Sequence, residues 1–330
     1  MARPKVVTVH HHYMPKDFFE RRIPPGGRLI EEDFYFTFNP ILHDADAHLR
    51  AMDEAGVEAT VVHLAQWCAK GVEVCRELND GFAALAGAHP DRFFPCVHLP
   101  LSGEAGVLDE LDRAAEDLGF RAVALLSSEG AVHLASDSVA PLLARIAARG
   151  LPIVIHPAMR PLGAAMDFDL VASMERAADI TRAVVRVMYG VFPRFPELRF
   201  VMPHHGGAAP FLKGRMQMFF KPEGVEIPEA IRLLPLSPRE QKSLGLDVAF
   251  EKLFEKLYFD TAGFAGWMPA TQAALLTVRP ERMCLGTDYP MEMHGGADIR
   301  AMIEGIRALD LPAGDTAAIL GGNMVELLGL

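Results

Sequence analysis

Val6-Val-Thr-Val-His10-His11-His12 is an apolar, β-branched run that ends on two histidines spaced two apart. Successive side chains on a strand point to opposite faces, so His10 and His12 project together while His11 points away. Two nitrogen donors converging at a strand end form half of a metal site. A doubly wound open sheet, the structural alternative, usually carries a Gly-rich phosphate loop after its first strand, and His-x-His stands there instead. Working outward, the same grammar repeats. Short β-rich runs fall at Val6–His12, Ala59–Leu64, Phe93–Val97, Ala122–Leu126, Pro152–His156, Arg199–Met202, Leu257–Asp260 and Met283–Thr287. Amphipathic stretches lie between them, among them Asp44–Ala55, Gly71–His89, Glu104–Leu118, Pro141–Arg149 and Asp298–Leu309. Strands alternating with helices imply parallel pairing through right-handed crossovers, and eight such units are what a closed (β/α)8 barrel needs. The chain therefore reads as an α/β protein, one TIM-barrel domain over residues 1–330. Two long connections, Lys16–Asn39 after the first strand and Pro222–Gly245 after the sixth, fall on the face where barrels carry their lids and substrate walls.

Composition narrows the function classes. A chain of 330 residues that is 50% hydrophobic and 23% charged can bury a large core. Its net charge of −11, without a Lys/Arg run, argues against nucleic acid or an anionic membrane as partner. No stretch is long and apolar enough to span a bilayer, and the amino terminus passes directly into a strand pattern. Cys68, Cys75, Cys96 and Cys284 show no close CxxC pairing, and two of them fall inside strand runs. A disulfide framework is not expected, and the reducing cytoplasm is the expected compartment.

Three further strand ends carry ligand-type residues. Leu151-Pro-Ile-Val-Ile-His156-Pro157 ends the fifth strand on a histidine that Pro157 stops. Val201-Met-Pro-His204-His205-Gly-Gly207 ends the sixth; one histidine should face the barrel and the other away, and the His-Gly-Gly context favours His205. Cys284-Leu-Gly-Thr-Asp288-Tyr-Pro290 ends the eighth. Singly these are ordinary: a histidine at a strand end is usually structural, and an Asp after Gly-Thr is usually a turn former. Four of them on strands one, five, six and eight, all at one barrel face, are hard to produce by chance.

His10-x-His12, Ile155-His156-Pro157, His205-Gly-Gly-Ala-Ala-Pro210 and Leu285-Gly-Thr-Asp288-Tyr-Pro290 together resemble the amidohydrolase superfamily. More narrowly they resemble its amidohydrolase-related decarboxylase/hydrolase branch, which includes aminocarboxymuconate-semialdehyde and γ-resorcylate decarboxylases. The likeness extends to Tyr189-Gly-Val-Phe192-Pro-Arg-Phe-Pro196, Gly321-Gly-Asn323 and Leu328-Gly-Leu330. The resemblance implies that His10, His12, His156 and Asp288 ligate one divalent metal, zinc or alternatively manganese, and that His205 is the general acid/base with Asp288 shuttling protons. It implies non-oxidative decarboxylation of an aromatic or muconate-type acid, with hydrolysis of a lactone, ester, amide or ring-cleavage product as the alternative. Substrate contacts are expected from Arg28, Arg160, Trp67, Phe264 and Tyr289, with Trp267 a further stacking candidate. Arg215 matches an arginine that resembling decarboxylases lend across a homodimer interface. Asp260 should support a ligand histidine, whereas His63 and His98 read as supporting or packing residues. Two positions depart from the pattern: Thr8 stands where many relatives have an acidic residue, and Asp33–Phe38 lacks the substrate-binding arginine of the muconate decarboxylase.

Overall fold

The β-branched runs pair in sequence order to build one parallel sheet of eight strands. A computed structural model describes residues 6–24, 28–31, 34–158, 174–219 and 250–330. Its barrel strands are β1 (Val7–His12), β2 (Ala59–His63), β3 (Phe93–His98), β4 (Ala122–Leu126), β5 (Ile153–His156), β6 (Phe200–Met202), β7 (Tyr258–Asp260) and β8 (Met283–Cys284). The barrel closes between its first and last strands through the parallel bridge Val9–Gly286, with the Val9 N–H donating to Leu285 O at 2.8 Å. Beyond β8 the Asp288 N–H donates to His10 O and the His12 N–H to Tyr289 O, both at 2.8 Å.

Helices α1 (Ala45–Ala55), α2 (Val72–Ala88), α3 (Ala105–Glu116), α4 (Ala140–Arg149), α5 (Arg176–Arg186), α6 (Ala209–Phe219), α7 (Met268–Leu275) and α8 (Gly296–Arg307) follow the strands one for one. Their ends obey local chemistry. Asp44 caps α1 by accepting the Ala47 N–H at 2.9 Å, and Gly56 ends it in the left-handed region at φ 74°. The observed strands and helices match the runs read from sequence to within two or three residues, because short β-branched runs and 3.6-period stretches report opposite kinds of burial.

Alternation along the strands divides the core in two. Val7, Val9, Val61, Ala124, Val154 and Val201 gather in one buried cluster, while their neighbours Val62, Val123, Leu125, Ile153 and Ile155 join the larger cluster with helix residues. The first cluster fills the barrel, and its small residues leave room for larger polar side chains at the carboxyl ends of the strands. Met324 and Leu327, on the terminal helix Asn323–Leu328, belong to it too. Asn323 anchors that helix, its Nδ2 donating to Met283 O at 2.6 Å and Pro280 O at 2.8 Å, which gives the Gly-Gly-Asn motif a structural reason.

The first long connection is partly built: it holds the helix Lys16–Arg22 and an antiparallel hairpin pairing Arg28–Glu31 with Phe34–Thr37. A second hairpin, Ser128–Glu129 with Val132–His133, follows β4. The connection Pro222–Gly245, Arg160 and the side chain of Arg28 lie outside the described residues. All four cysteines are free and buried.

Candidate metal centre

β1 does not run straight into the site. Its register against β2 shifts between Thr8 and His11, and His10 adopts φ 55°. This bulge brings His10 and His12 to the same side, ring centroids 5.1 Å apart, while His11 turns outward against His48 and Tyr289. Thr8 donates its hydroxyl to Thr60 Oγ1 at 2.6 Å on the neighbouring strand. His156 at the end of β5 stacks 5.4 Å from His10, and one nitrogen each from His10, His12 and His156 lies within 4.8 Å of the others. A second group on the same spacing joins His10, His204 and Asp288. His12 Nε2 lies 3.0 Å from Asp288 Oδ1, and His204 Nε2 lies 3.7 Å from Asp288 Oδ2. All five side chains are buried.

The outer nitrogens of the three clustered histidines are already committed. His10 Nδ1 faces Asp260 Oδ2 at 3.2 Å, the His12 Nδ1–H donates to His63 O at 3.3 Å, and the His156 Nδ1–H donates to Pro157 O at 2.8 Å. Each ring is thereby fixed as the tautomer whose Nε2 is a lone-pair donor toward the cluster, the arrangement that supporting groups give metal-bound histidines. His10 Nε2 and His204 Nε2 are buried and have no hydrogen-bond partner among the described residues. A desolvated imidazole nitrogen without a partner costs about 1–3 kcal/mol. Three aligned nitrogens and a carboxylate are the donor set of a divalent cation such as zinc or manganese, so the residues present fit the metal that the sequence motifs imply.

Electrostatics agree with the geometry. Burial pushes the Asp288 carboxyl up, but the His12 hydrogen bond and the charges of His12, His10 and His204 outweigh it and hold the group ionised, below the usual carboxylate range. Burial lowers His156 and His12, which keeps both neutral and able to donate lone pairs. His10 runs the other way: burial opposes its charge, yet the Asp260 charge and hydrogen bond raise it overall. Asp260 also orders its surroundings, Oδ1 accepting the His204 N–H at 2.9 Å and the Ala262 N–H at 3.0 Å.

The expectation for β6 is corrected by the backbone. His204, not His205, faces Asp288. Period-2 alternation stops at Met202, and both histidines sit in the left-handed region at φ 52° and 54°, so strand logic no longer assigns their faces. Gly263 leaves the space that the His204 ring fills; a Cβ there would lie 2.4 Å from His204 Cγ. His205 turns away, its Nε2 3.0 Å from Thr271 Oγ1 and its ring 5.1 Å from Phe264. Burial pushes His204 down to about 3, with the His10 charge adding to it, and His205 down to about 4.

Other predicted contacts divide. Trp67 is buried against Phe18 and Phe38, and with Phe38, Leu64, Gln66 and Met291 it lines a narrow cavity beside His12. Tyr289 is buried behind β1 against His48 and so lies away from that cavity. Trp267 is 63% exposed, and Arg215 is exposed on α6. His98 is locked into packing: it accepts the Leu64 N–H at 2.8 Å and stacks on Phe82. His63 is drawn in closer than its sequence context suggests, with ring centroids 4.9 Å from His12 and 5.0 Å from His10 and neither nitrogen hydrogen-bonded among the described residues. Sequence reasoning missed Arg176 and Glu292, whose charges act on the site histidines. No motif flags either one; only the fold brings them to the mouth.

A barrel whose carboxyl-end mouth carries this donor set matches the amidohydrolase family model over residues 7–330. The chain belongs to the amidohydrolase family. This amidohydrolase is 23% identical to the 2-amino-3-carboxymuconate-6-semialdehyde decarboxylase of Dictyostelium discoideum, over 98% of the chain and 91% of that protein. It is 30% identical to a 2-keto-4-carboxy-3-hexenedioate hydratase of a Sphingobium species, over 64% of the chain and 68% of that protein. Among solved structures it resembles the 5-carboxyvanillate decarboxylase of Novosphingobium aromaticivorans complexed with manganese and 4-hydroxy-3-methoxy-5-nitrobenzoic acid. That likeness has a TM-score of 0.77 at 19% identity and covers 99% of the amidohydrolase and 96% of the other chain.

Proposed function

We propose that this amidohydrolase is a metal-dependent, non-oxidative decarboxylase of an aromatic or muconate-type carboxylic acid, working in the cytoplasm. The observation that carries the reading is the pairing of a three-histidine and carboxylate donor set with a fourth histidine, His204, whose free Nε2 stands 3.7 Å from Asp288 Oδ2. His10, His12, His156 and Asp288 would hold the cation, zinc first and manganese as the alternative, since imidazoles with one carboxylate tolerate both. Bound there, it supplies a Lewis acid that offsets the charge of the substrate's oxygens.

The chain's own residues do the rest. Decarboxylation breaks the bond between a carbon and its carboxylate, leaves the electron pair on that carbon, releases CO2 and places a proton where the carboxylate was. Asp288 Oδ2 is the proton donor and His204 Nε2 the neighbour that resupplies it. Asp288 is held ionised in its surroundings, so it takes up a proton before it delivers one, and His204 Nε2, 3.7 Å from its Oδ2, is placed to pass that proton. Trp67, Phe38 and Met291 present an apolar wall beside His12 for one edge of a flat ring or diene, and Gln66 adds one amide to that wall. A homodimer through α6 accompanies this reading: Phe211 on that helix is 89% exposed, and Arg215 lies one turn on.

The test is CO2 release by metal-loaded protein from a panel of hydroxybenzoates and muconate semialdehydes, run beside lactones and unsaturated ring-cleavage acids. Turnover of the first group with stoichiometric CO2 is expected. Consumption of the second group with no CO2 from any acid would sink the reading in favour of hydrolysis or hydration.

A further inference from the structure

Helix α5 is clamped to the ends of both β5 and β6. On the β5 side the buried Asp179 Oδ2 accepts the Ala158 N–H at 3.0 Å and the Ser127 hydroxyl. On the β6 side the Ala208 N–H donates to Thr181 Oγ1 at 2.9 Å, and Gly207 packs so closely that a Cβ would lie 2.3 Å from Ala177 O. Arg176 directly precedes Ala177, whose carbonyl meets Gly207, and lies three residues before Asp179, so its Cα is held near the two turns that carry His156 and His204.

The side chain is partly buried and makes no hydrogen bond or ion pair among the described residues. Its charge is felt inside the site all the same, disfavouring protonation of His156 and His204 and favouring ionisation of Glu292. A guanidinium is a planar fork of five donors shaped for a carboxylate, and one held partly desolvated without an acceptor is a receptor for an anion.

We propose that Arg176 binds a second carboxylate of the substrate, the one that is not lost, and thereby makes the site selective for dicarboxylic acids. The inference rests on the decarboxylase reading for its site, but not for its test. Isophthalate and benzoate serve as probes that differ by one carboxylate, titrated calorimetrically into manganese-loaded wild type, Arg176→Gln and Arg176→Lys. The Gln variant should bind isophthalate about 10- to 100-fold more weakly, as loss of a charge-assisted hydrogen bond predicts, with benzoate changed less than about twofold on the same scale. The Lys variant should fall between, having the charge without the fork. For a diacid that turns over, KM should rise while kcat holds. Equal weakening of both probes, no change in either, or loss of bound manganese from the Gln variant would each overturn the assignment. Because the titration needs no turnover, absence of CO2 from every acid would remove the decarboxylase reading while the two probes still decide Arg176.

Discussion

His10 and His11 are neighbours in the chain, yet they belong to two histidine clusters of opposite character. In the inner cluster, His10, His12 and His156 have their Nδ1 atoms anchored, His10 Nε2 and His204 Nε2 have no hydrogen-bond partner among the described residues, and His12 Nε2 faces Asp288. The outer cluster is a chain of ordinary hydrogen bonds: the His48 Nε2–H donates to Ile41 O at 2.9 Å, which leaves His48 Nδ1 to accept the His11 Nε2–H at 2.7 Å. Both are fully buried, and both lower most of their members' basicity by burial. Burial of histidine therefore does not mark a site by itself. What separates the clusters is where the nitrogens point: the inner set converges beside a carboxylate, whereas His48 spends both of its nitrogens on the protein and His11 Nδ1 is buried with no partner among the described residues.

The largest effect should come from breaking the inner cluster. His156→Ala should lose its metal on gel filtration, measured by plasma emission. kcat/KM should fall by on the order of 10^3 or more, since a cation supplies several kcal/mol of charge stabilisation. His11→Gln, on the outer face one residue from two proposed ligands, should keep its metal. If the two variants retain equal metal, the distinction between the faces is wrong.

A smaller effect should separate the two histidines of β6. His204→Asn should retain metal and lose about 10^2-fold in kcat, the range for a lost acid/base group. His205→Asn, whose ring meets Thr271 and Phe264, should stay close to wild type in kcat. The reverse ranking in single-turnover assays would return the proton-transfer role to His205. This pair also marks the limit of what the sequence makes legible. His10, His12, His156 and Asp288 could be placed from strand ends alone, because a β-branched run ending on a polar residue at a closed barrel's mouth leaves little freedom. His204 could not, because the chain there leaves the strand for two left-handed residues, and Gly263, far along the chain, decides which ring has room. Tyr289 was misplaced for a related reason: after Asp288, itself at φ 50°, the chain turns Tyr289 behind β1 rather than toward the mouth. Arg176 was illegible because it lies in a helix, where a lone arginine carries no pattern, and only the packing of α5 between two strand ends gives it meaning.

The smallest effect belongs to the outer cluster and shows in stability alone. Burial, opposed by the Ile41 carbonyl and the Asp44 charge, pushes His48 from 6.5 down to about 4 in the folded chain. The unfolded chain then binds the proton more readily than the folded one. The stability linked to His48 is fully present above pH 6.5 and is lost as pH falls through about 4. At about 1.4 kcal/mol per unit, the drop from pH 7 to pH 5 is about 2 kcal/mol. Urea unfolding at these two pH values, with chelator present so that metal loss does not contribute, should show a drop about 2 kcal/mol larger in wild type than in His48→Gln, because the other buried histidines contribute equally to both. Equal slopes in the two proteins would mean that the His11–His48 pair is not the closed, neutral arrangement drawn here. The contrast between His48, whose two nitrogens are both spent on the protein, and the converging inner set would then lose its reference.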